Sequence, residues 1–348
     1  MTFLKSLILR TCFSFNKLPT SIGNLKHLVK LLVSGTEIEV LPDGVGQLEK
    51  LEELDVSDCR KLVRLPTSMG RMRNLLHFDL SDTMIVKLPD DFSKLISSLE
   101  VLRLGIVELD DDQIDDYKRR LQPLPVSMST FSQLQVLYLA GYMNLESLPE
   151  LPSTLTRLED KSCISLQIIS DLSHLERLKD LYISNCVNIK KIPGLEGTKS
   201  LEKFNVEDCH KLTELLDLSN LKRLRELSIK DCTDLEEING LEGTESLEEF
   251  RVQGCHKLRK LPDLSNLKRL RVLDMFRCEN LEEIHGLEGI ESVECFNVEG
   301  CHKLTKLLNL SNLKRLGKLY IDCENLEIIH GLEGTESLEV LMWKVATN

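Results

Sequence analysis

Residues 200–238 read SLEKFNVEDCHKLTELLDLSNLKRLRELSIKDCTDLEEI. Leu201, Phe204 and Val206 alternate with Glu202, Lys203, Asn205 and Glu207. Apolar residues at a period of two mark a short strand with one buried face. Cys209 follows, then Leu212 and Leu215, and the pattern restarts at Leu224 and reaches its next cysteine at Cys232. One strand and one return are therefore completed in 23 residues. Identical strands one period apart must run parallel, because the chain returns to the same side before each begins.

Reading outward, the phrase L-x-x-L-x-L-x-x-C-x-x-L-x-x-L recurs along the whole chain. Its first position falls at Leu4, Leu28, Leu51, Leu75, Leu99, Leu134, Leu155, Leu178, Leu201, Leu224, Leu247, Leu270, Val293, Leu316 and Leu338. Most steps are 23 or 24 residues, with single steps of 35, 21 and 22. This period and leucine spacing specify an α/β leucine-rich-repeat solenoid of about 15 repeats. The expected architecture is a curved parallel sheet on the concave face, with loops and short helical turns on the convex face. Pro lacks the N–H that a sheet ladder needs. Leu18-Pro19, Leu41-Pro42, Leu65-Pro66, Leu88-Pro89, Leu124-Pro125, Leu148-Pro149 and Leu261-Pro262 therefore belong on the convex side. Residues 217–224 suit a short helical turn begun by Asp217 or Ser219.

The organisation expected is a single repeat domain over 1–348. Within it, 1–104 hold regular repeats, 105–122 an insertion loop, 123–199 further repeats, and 200–348 units doubled to 46 residues. The acidic run 110–116 in the insertion lacks the Gly and terminal Glu of a calcium loop and reads as solvated chain.

Ten of the 11 cysteines share one phase: Cys12, Cys59, Cys163, Cys186, Cys209, Cys232, Cys255, Cys278, Cys301 and Cys323. Thr36 and Thr83 occupy it in two other repeats. Cys and Thr are small donors, and a strand that ends leaves carbonyls in need of a partner. The expectation is a buried structural ladder. Disulfides would need an oxidising compartment and leave one thiol over. Cys209-His210, Cys255-His256 and Cys301-His302 recur 46 residues apart. Two turns of solenoid put them roughly 10 Å apart, too far for one zinc site. No metal or cofactor is expected, and reduced thiols imply the cytoplasm or the nucleus.

Composition narrows the function classes. A net charge of −12 argues against a general nucleic-acid binder. No apolar run approaches the roughly 20 residues that cross a bilayer. Arg10 interrupts the apolar stretch at the N-terminus, and Leu4, Leu7 and Leu9 already sit in phase with the repeat, so no secretory signal is read there. Gly194 to Ser200 lacks the spacing of a phosphate loop and recurs at Gly240 to Ser246 as a turn. No nucleophile is paired with a base and an orienting group, so no enzyme activity is expected.

A solenoid of this kind acts as a surface. Its candidate protein-binding residues are the outward strand positions Arg103, Tyr138, Tyr182, Arg251, Phe276, Arg277 and Tyr320, because aromatic residues and Arg anchor protein interfaces. Acidic strands (Glu202, Glu207, Asp208; Glu248, Glu249; Glu294, Glu299) alternate with strands bearing Arg225, Lys230, Arg271, Arg277 or Lys318. Such striping suits a protein partner of mixed charge.

Residues 51–75 (LEELDVSDCRKLVRLPTSMGRMRNL), 145–166 (LESLPELPSTLTRLEDKSCISL) and the C-x-x-L series from Cys163 onward resemble the leucine-rich-repeat region of plant nucleotide-binding disease-resistance proteins. The class headed by a Toll/interleukin-receptor domain is the most similar. The resemblance implies a recognition module of an intracellular immune receptor, whose partner is a pathogen effector or a host protein. It also implies upstream nucleotide-binding and signalling domains. Neither lies in this sequence, and Met1 stands just ahead of a repeat with no cap before it, so a truncated receptor is expected. The alternative is a stand-alone repeat scaffold or adaptor in intracellular signalling.

Overall fold

The computed structural model describes residues 3–95, 97–106, 124, 128–215, 217–307 and 310–343. Most of the insertion, 107–122, lies outside these residues. The chain divides into two compact units, 1–166 and 167–348.

In the first unit seven strands lie side by side, all parallel and in sequence order: Ser6–Ile8, Lys30–Leu32, Glu53–Asp55, His77–Asp79, Val101–Gly105, Val136–Ala140 and Arg157–Lys161. In the second unit eight do so: Asp180–Ser184, Lys203–Glu207, Glu226–Lys230, Glu249–Gln253, Val272–Asp274, Cys295–Glu299, Lys318–Asp322 and Val340–Trp343. Register repeats without slippage, so each phrase position becomes a column across the sheet. Phe204, Leu227, Phe250, Leu273, Phe296 and Leu319 form one inward column, and all are fully buried. Burying such side chains stabilises by about 1.5–3 kcal/mol each, and this column holds the sheet to the return half.

The return half is built from turns rather than α-helices. Every helical segment among the described residues is a 3-10 turn of three to six residues. A repeat of 23 residues leaves no room for more once its strand is made. Pro19 and Pro42 stand extended, at ψ 147° and 152°, immediately before the turns Thr20–Asn24 and Asp43–Gln47. Segment 217–224, expected to begin a helical turn, forms hydrogen-bonded turns instead, and Asp217 Oδ1 accepts from the Ser219 N–H at 3.0 Å.

From Asp171 onward the returns alternate. Asp171, Asp217 and Asp263 each cap an Asp-Leu-Ser turn, and Gly194, Gly240 and Gly286 open a Gly-Leu-Glu-Gly turn one repeat later. The two kinds interlock. Gly240 holds φ +84°, and a Cβ there would lie 2.4 Å from the Leu218 nitrogen. The 46-residue period reflects this pairing of an aspartate turn with a glycine turn one repeat later.

Candidate functional site

The sheet face exposes every second strand residue. In the first unit its middle column runs Ile8, Leu32, Asp55, Asp79, Arg103, Tyr138, Glu159 in register. In the second it runs Tyr182, Asn205, Ser228, Arg251, Asp274, Asn297, Tyr320, Met342. Of the seven expected binding residues, five thus stand in these two columns, and the other two follow the strand that bears Asp274.

Arg103 and Tyr138 are register neighbours in the first unit. Arg103 reaches Asp79 at 3.5 Å. Partial burial raises the Tyr138 hydroxyl above its ordinary pKa, the Glu159 charge adds to this, and Arg103 opposes it. Asp55 and Asp79 are committed to the backbone turn that follows them. Each accepts the side chain of the serine two residues on, Ser57 or Ser81, at 2.6 Å, and Arg10 binds Asp55 at 3.1 Å.

In the second unit Arg251 is ion-paired to Glu249 of its own strand. Asp274 Oδ1 accepts the Phe276 N–H at 3.0 Å and so fixes the turn that carries Phe276 and Arg277. The Arg277 guanidinium lies 5.2 Å from the centre of the Phe276 ring. Arg277 also holds φ +58°. This left-handed conformation occurs one residue before the ladder in many repeats, where Asp58, Asp82, Asn185, Asp208, Asp231, Gly254 and Gly300 supply it. Asn, Asp and Gly take it readily, whereas a long side chain does so at a cost. Tyr320 lies between Asn297 and Met342, with half-buried Cys295 on the neighbouring strand.

The charge stripes are largely self-neutralised. Arg225 binds Glu248 at 2.8 Å, Arg271 binds Glu294 at 2.9 Å, Lys203 binds Glu226 at 3.3 Å, and Lys230 pairs with Glu207. Alternation of sign from strand to strand thus has a structural cause. Cross-strand neighbours of opposite sign attract and like signs repel. What remains outward and uncharged around Tyr320 is Val272, Cys295, Asn297, Val340 and Met342.

Behind the strands runs the ladder. Cys59 Sγ donates to the Val33 carbonyl at 3.2 Å, Cys278 to Val252 at 3.0 Å, Cys301 to Met275 at 3.1 Å and Cys323 to Val298 at 3.0 Å. Each acceptor belongs to the preceding repeat. Thr36 Oγ1 donates to Val33 and lies 3.3 Å from Cys59 Sγ. Burial pushes the thiols of Cys232 and Cys278 up to about 12. Cys163, Cys186, Cys209 and Cys255 are likewise buried. Cys12 corrects the expectation of a wholly buried ladder: it is exposed, because no described repeat precedes it to supply a cover. The three Cys-His pairs turn their thiols into the ladder, and His210 Nδ1 lies 2.9 Å from the Asp231 carbonyl. Among the described residues no group of three or more His, Cys, Asp or Glu is placed to hold a metal, and no helix is long and apolar enough to cross a membrane.

One inward position departs from the leucine pattern. Asp160 occupies the place that Leu139 and Ile183 hold in other strands, and it is only 2% exposed. Its phase, two residues after Leu158 and three before Cys163, already marks it as inward.

Two family models match the chain. A leucine-rich-repeat region covers residues 1–115, and the leucine-rich repeats of the RPS2-like plant disease-resistance proteins cover 196–330. Disease resistance protein RPS4B of Arabidopsis thaliana is 31% identical over 204 residues. Over these residues the chain is similar to the leucine-rich repeats of plant disease-resistance proteins. The match to RPS4B takes in 55% of this repeat region and 17% of that protein. TMV resistance protein N of Nicotiana glutinosa is 28% identical over 185 residues, 48% of the repeat region and 16% of that protein. The match therefore spans about a sixth of these curated relatives. Among solved structures, a leucine-rich-repeat protein of Leptospira interrogans superposes with a TM-score of 0.56 at 19% identity, covering 97% of the repeat region and 96% of that chain. The functional domain of InlJ from Listeria monocytogenes, which includes a cysteine ladder, gives 0.54 at 17%, covering 91% and 63%. These two likenesses show the fold.

Proposed function

We propose that this repeat region is the recognition arm of a plant intracellular immune receptor and binds a protein, a pathogen effector or a host protein that an effector modifies, on its sheet face. The observation that carries this reading is the middle column of the second unit. Its eight in-register positions hold Tyr, Asn, Ser, Arg, Asp, Asn, Tyr and Met, while the inward column beside it holds only Leu and Phe. Packing fixes one column and leaves the other free to be set by a ligand. The contact set is Arg103 and Tyr138 in the first unit, and Tyr182, Arg251, Phe276, Arg277 and Tyr320 in the second. Nucleotide binding and signalling belong to modules outside these residues, the solenoid performs no catalysis, and the compartment is the cytoplasm or the nucleus.

The test is a binding screen of effectors and host proteins against the whole chain, repeated with Arg251→Glu, Arg277→Glu and Tyr320→Ala combined. Partners of the wild type should bind the variant at least about tenfold more weakly, a loss of about 1.4 kcal/mol or more, with an unchanged melting curve. Equal binding of every partner by both proteins would remove the sheet face from the reading.

A further inference from the structure

The return side of the second unit carries a second ladder, and that ladder is broken. Glu214–Leu215 pairs with Glu237–Ile238, and Lys306–Leu307 pairs with Ile328–Ile329. Between these pairs only one isolated bridge survives among the described residues, Lys260 to Glu283. One link is lost at a proline. Asn239 and His330 donate their N–H groups to the Leu215 and Leu307 carbonyls, each at 3.1 Å. The equivalent position in the intervening repeat is Pro262, which has no N–H to give. Around the break opens a groove of about 690 Å³, with Ile238, Asn239, Leu261 and Pro262 along it.

Its electrostatics differ from the rest of the unit. Lys257, Arg259, Lys260 and Lys303 line it, against Glu236 and Glu237. Lys257 is spent on Asp234 at 2.8 Å. Arg259, Lys260 and Lys303 are exposed and make no ion pair among the described residues. On the sheet face Arg225, Lys230 and Arg271 are ion-paired; here Glu236, Glu237 and Glu283 stand one repeat from Arg259 and Lys260, yet none of the three cations forms an ion pair among the described residues, in a chain of net charge −12. No aromatic side chain lines the groove for a base to stack on.

We propose that this groove binds an extended acidic peptide segment of a protein partner, its carboxylates on Arg259, Lys260 and Lys303 and its backbone along the interrupted ladder. Guanidinium and ammonium groups favour carboxylates. The surface is separate from the sheet face, so the two readings stand or fall apart.

The experiment titrates the full chain with a fluorescein-labelled oligoglutamate peptide and follows anisotropy. Wild-type binding should weaken as salt rises. Arg259→Glu, Lys260→Glu and Lys303→Glu combined should weaken it at least about tenfold, with an unchanged circular dichroism spectrum. The milder pair Arg259→Gln and Lys303→Gln should fall between. Arg225→Glu with Arg271→Glu, on the sheet face, should leave it unaltered. Equal binding by wild type and the groove variants, no binding at low salt, or tighter binding of a single-stranded oligodeoxynucleotide than of the peptide would each overturn the proposal.

Discussion

The first and second units share a core and differ in how each repeat closes. In the first, a Leu-Pro pair leads into a 3-10 turn, as at Pro19 and Pro42, and like turns pack on one another, Gly44 against Thr20 and Gly46 against Ser68. In the second, aspartate and glycine turns alternate and fit together in twos. The ladders differ too. In the first unit it includes Thr36, Cys59, Thr83 and Cys163; in the second every member among the described residues is a cysteine. The lesson is that the inward leucines specify the solenoid, while the return and the ladder can be built with different chemistry as long as each carbonyl finds a donor.

Alkaline pH should break this equivalence most strongly. Burial raises the thiols of Cys232, Cys255, Cys278, Cys301 and Cys323 above the ordinary value near 9, Cys323 to about 11 and Cys232 and Cys278 to about 12. A raised folded-state pKa means that the unfolded chain loses its protons first. Stability is therefore full below pH 9 and falls between pH 9 and 12, by about 1.4 kcal/mol per thiol per pH unit. Threonine does not titrate there. Replacing Cys232 and Cys278 by Thr, the residue already at positions 36 and 83, should flatten the fall measured by urea denaturation at successive pH values; an unchanged slope would mean that the thiols are not the titrating groups.

The core should show no such asymmetry. Phe78 in the first unit and Phe250 in the second are both fully buried in the inward column. Truncating either to Ala should cost about 3–5 kcal/mol, read as a fall in denaturation midpoint. A large difference between the two would show that the units do not share one packing rule.

Glycine substitutions should then separate conformation from interlock, Gly35 standing before ladder residue Thr36 and Gly240 opening a return turn. Gly35 and Gly240 both hold positive φ, but a Cβ on Gly35 meets nothing nearer than 3.4 Å, whereas one on Gly240 lies 2.4 Å from backbone. Gly35→Ala should cost about 1 kcal/mol for conformation alone, and Gly240→Ala about 2–3 kcal/mol once the interlock is also disturbed. Equal losses would mean that the pairing of turns is not what sustains the 46-residue period.

The amino-acid pattern carries much of this by itself. Strand phase, inward columns and ladder follow from the spacing of Leu201, Phe204, Val206 and Cys209, because period two and a 23-residue repeat leave one arrangement. The outward columns are legible by the same arithmetic. Three features are not. The left-handed residue before each ladder position depends on backbone angles, though the run of Asp, Asn and Gly there is its trace, and Thr11, Ser162 and Arg277 depart from it. The interlock of Gly240 with Asp217 is a contact between repeats, invisible to a period read one repeat at a time. The stripes of charge suggest a surface for a partner when read along the chain, whereas the ion pairs show that they serve one another.

That last point gives the smallest effect and a sharp distinction. Arg271 and Glu294 meet at 2.9 Å with side chains about half exposed. Exposed pairs of this kind contribute on the order of 0–1 kcal/mol and lose it in salt. Arg271→Ala should therefore lower stability by less than about 1 kcal/mol at low salt, with the difference vanishing at high salt. Arg251→Ala, in the middle column and paired with Glu249 of its own strand, should be as mild in stability yet weaken a sheet-face partner. If Arg271→Ala weakens that partner equally, the outer stripe is part of the binding surface and not only its frame. If Arg251→Ala alone does so, cross-strand pairing and recognition are divided between adjacent columns of one sheet.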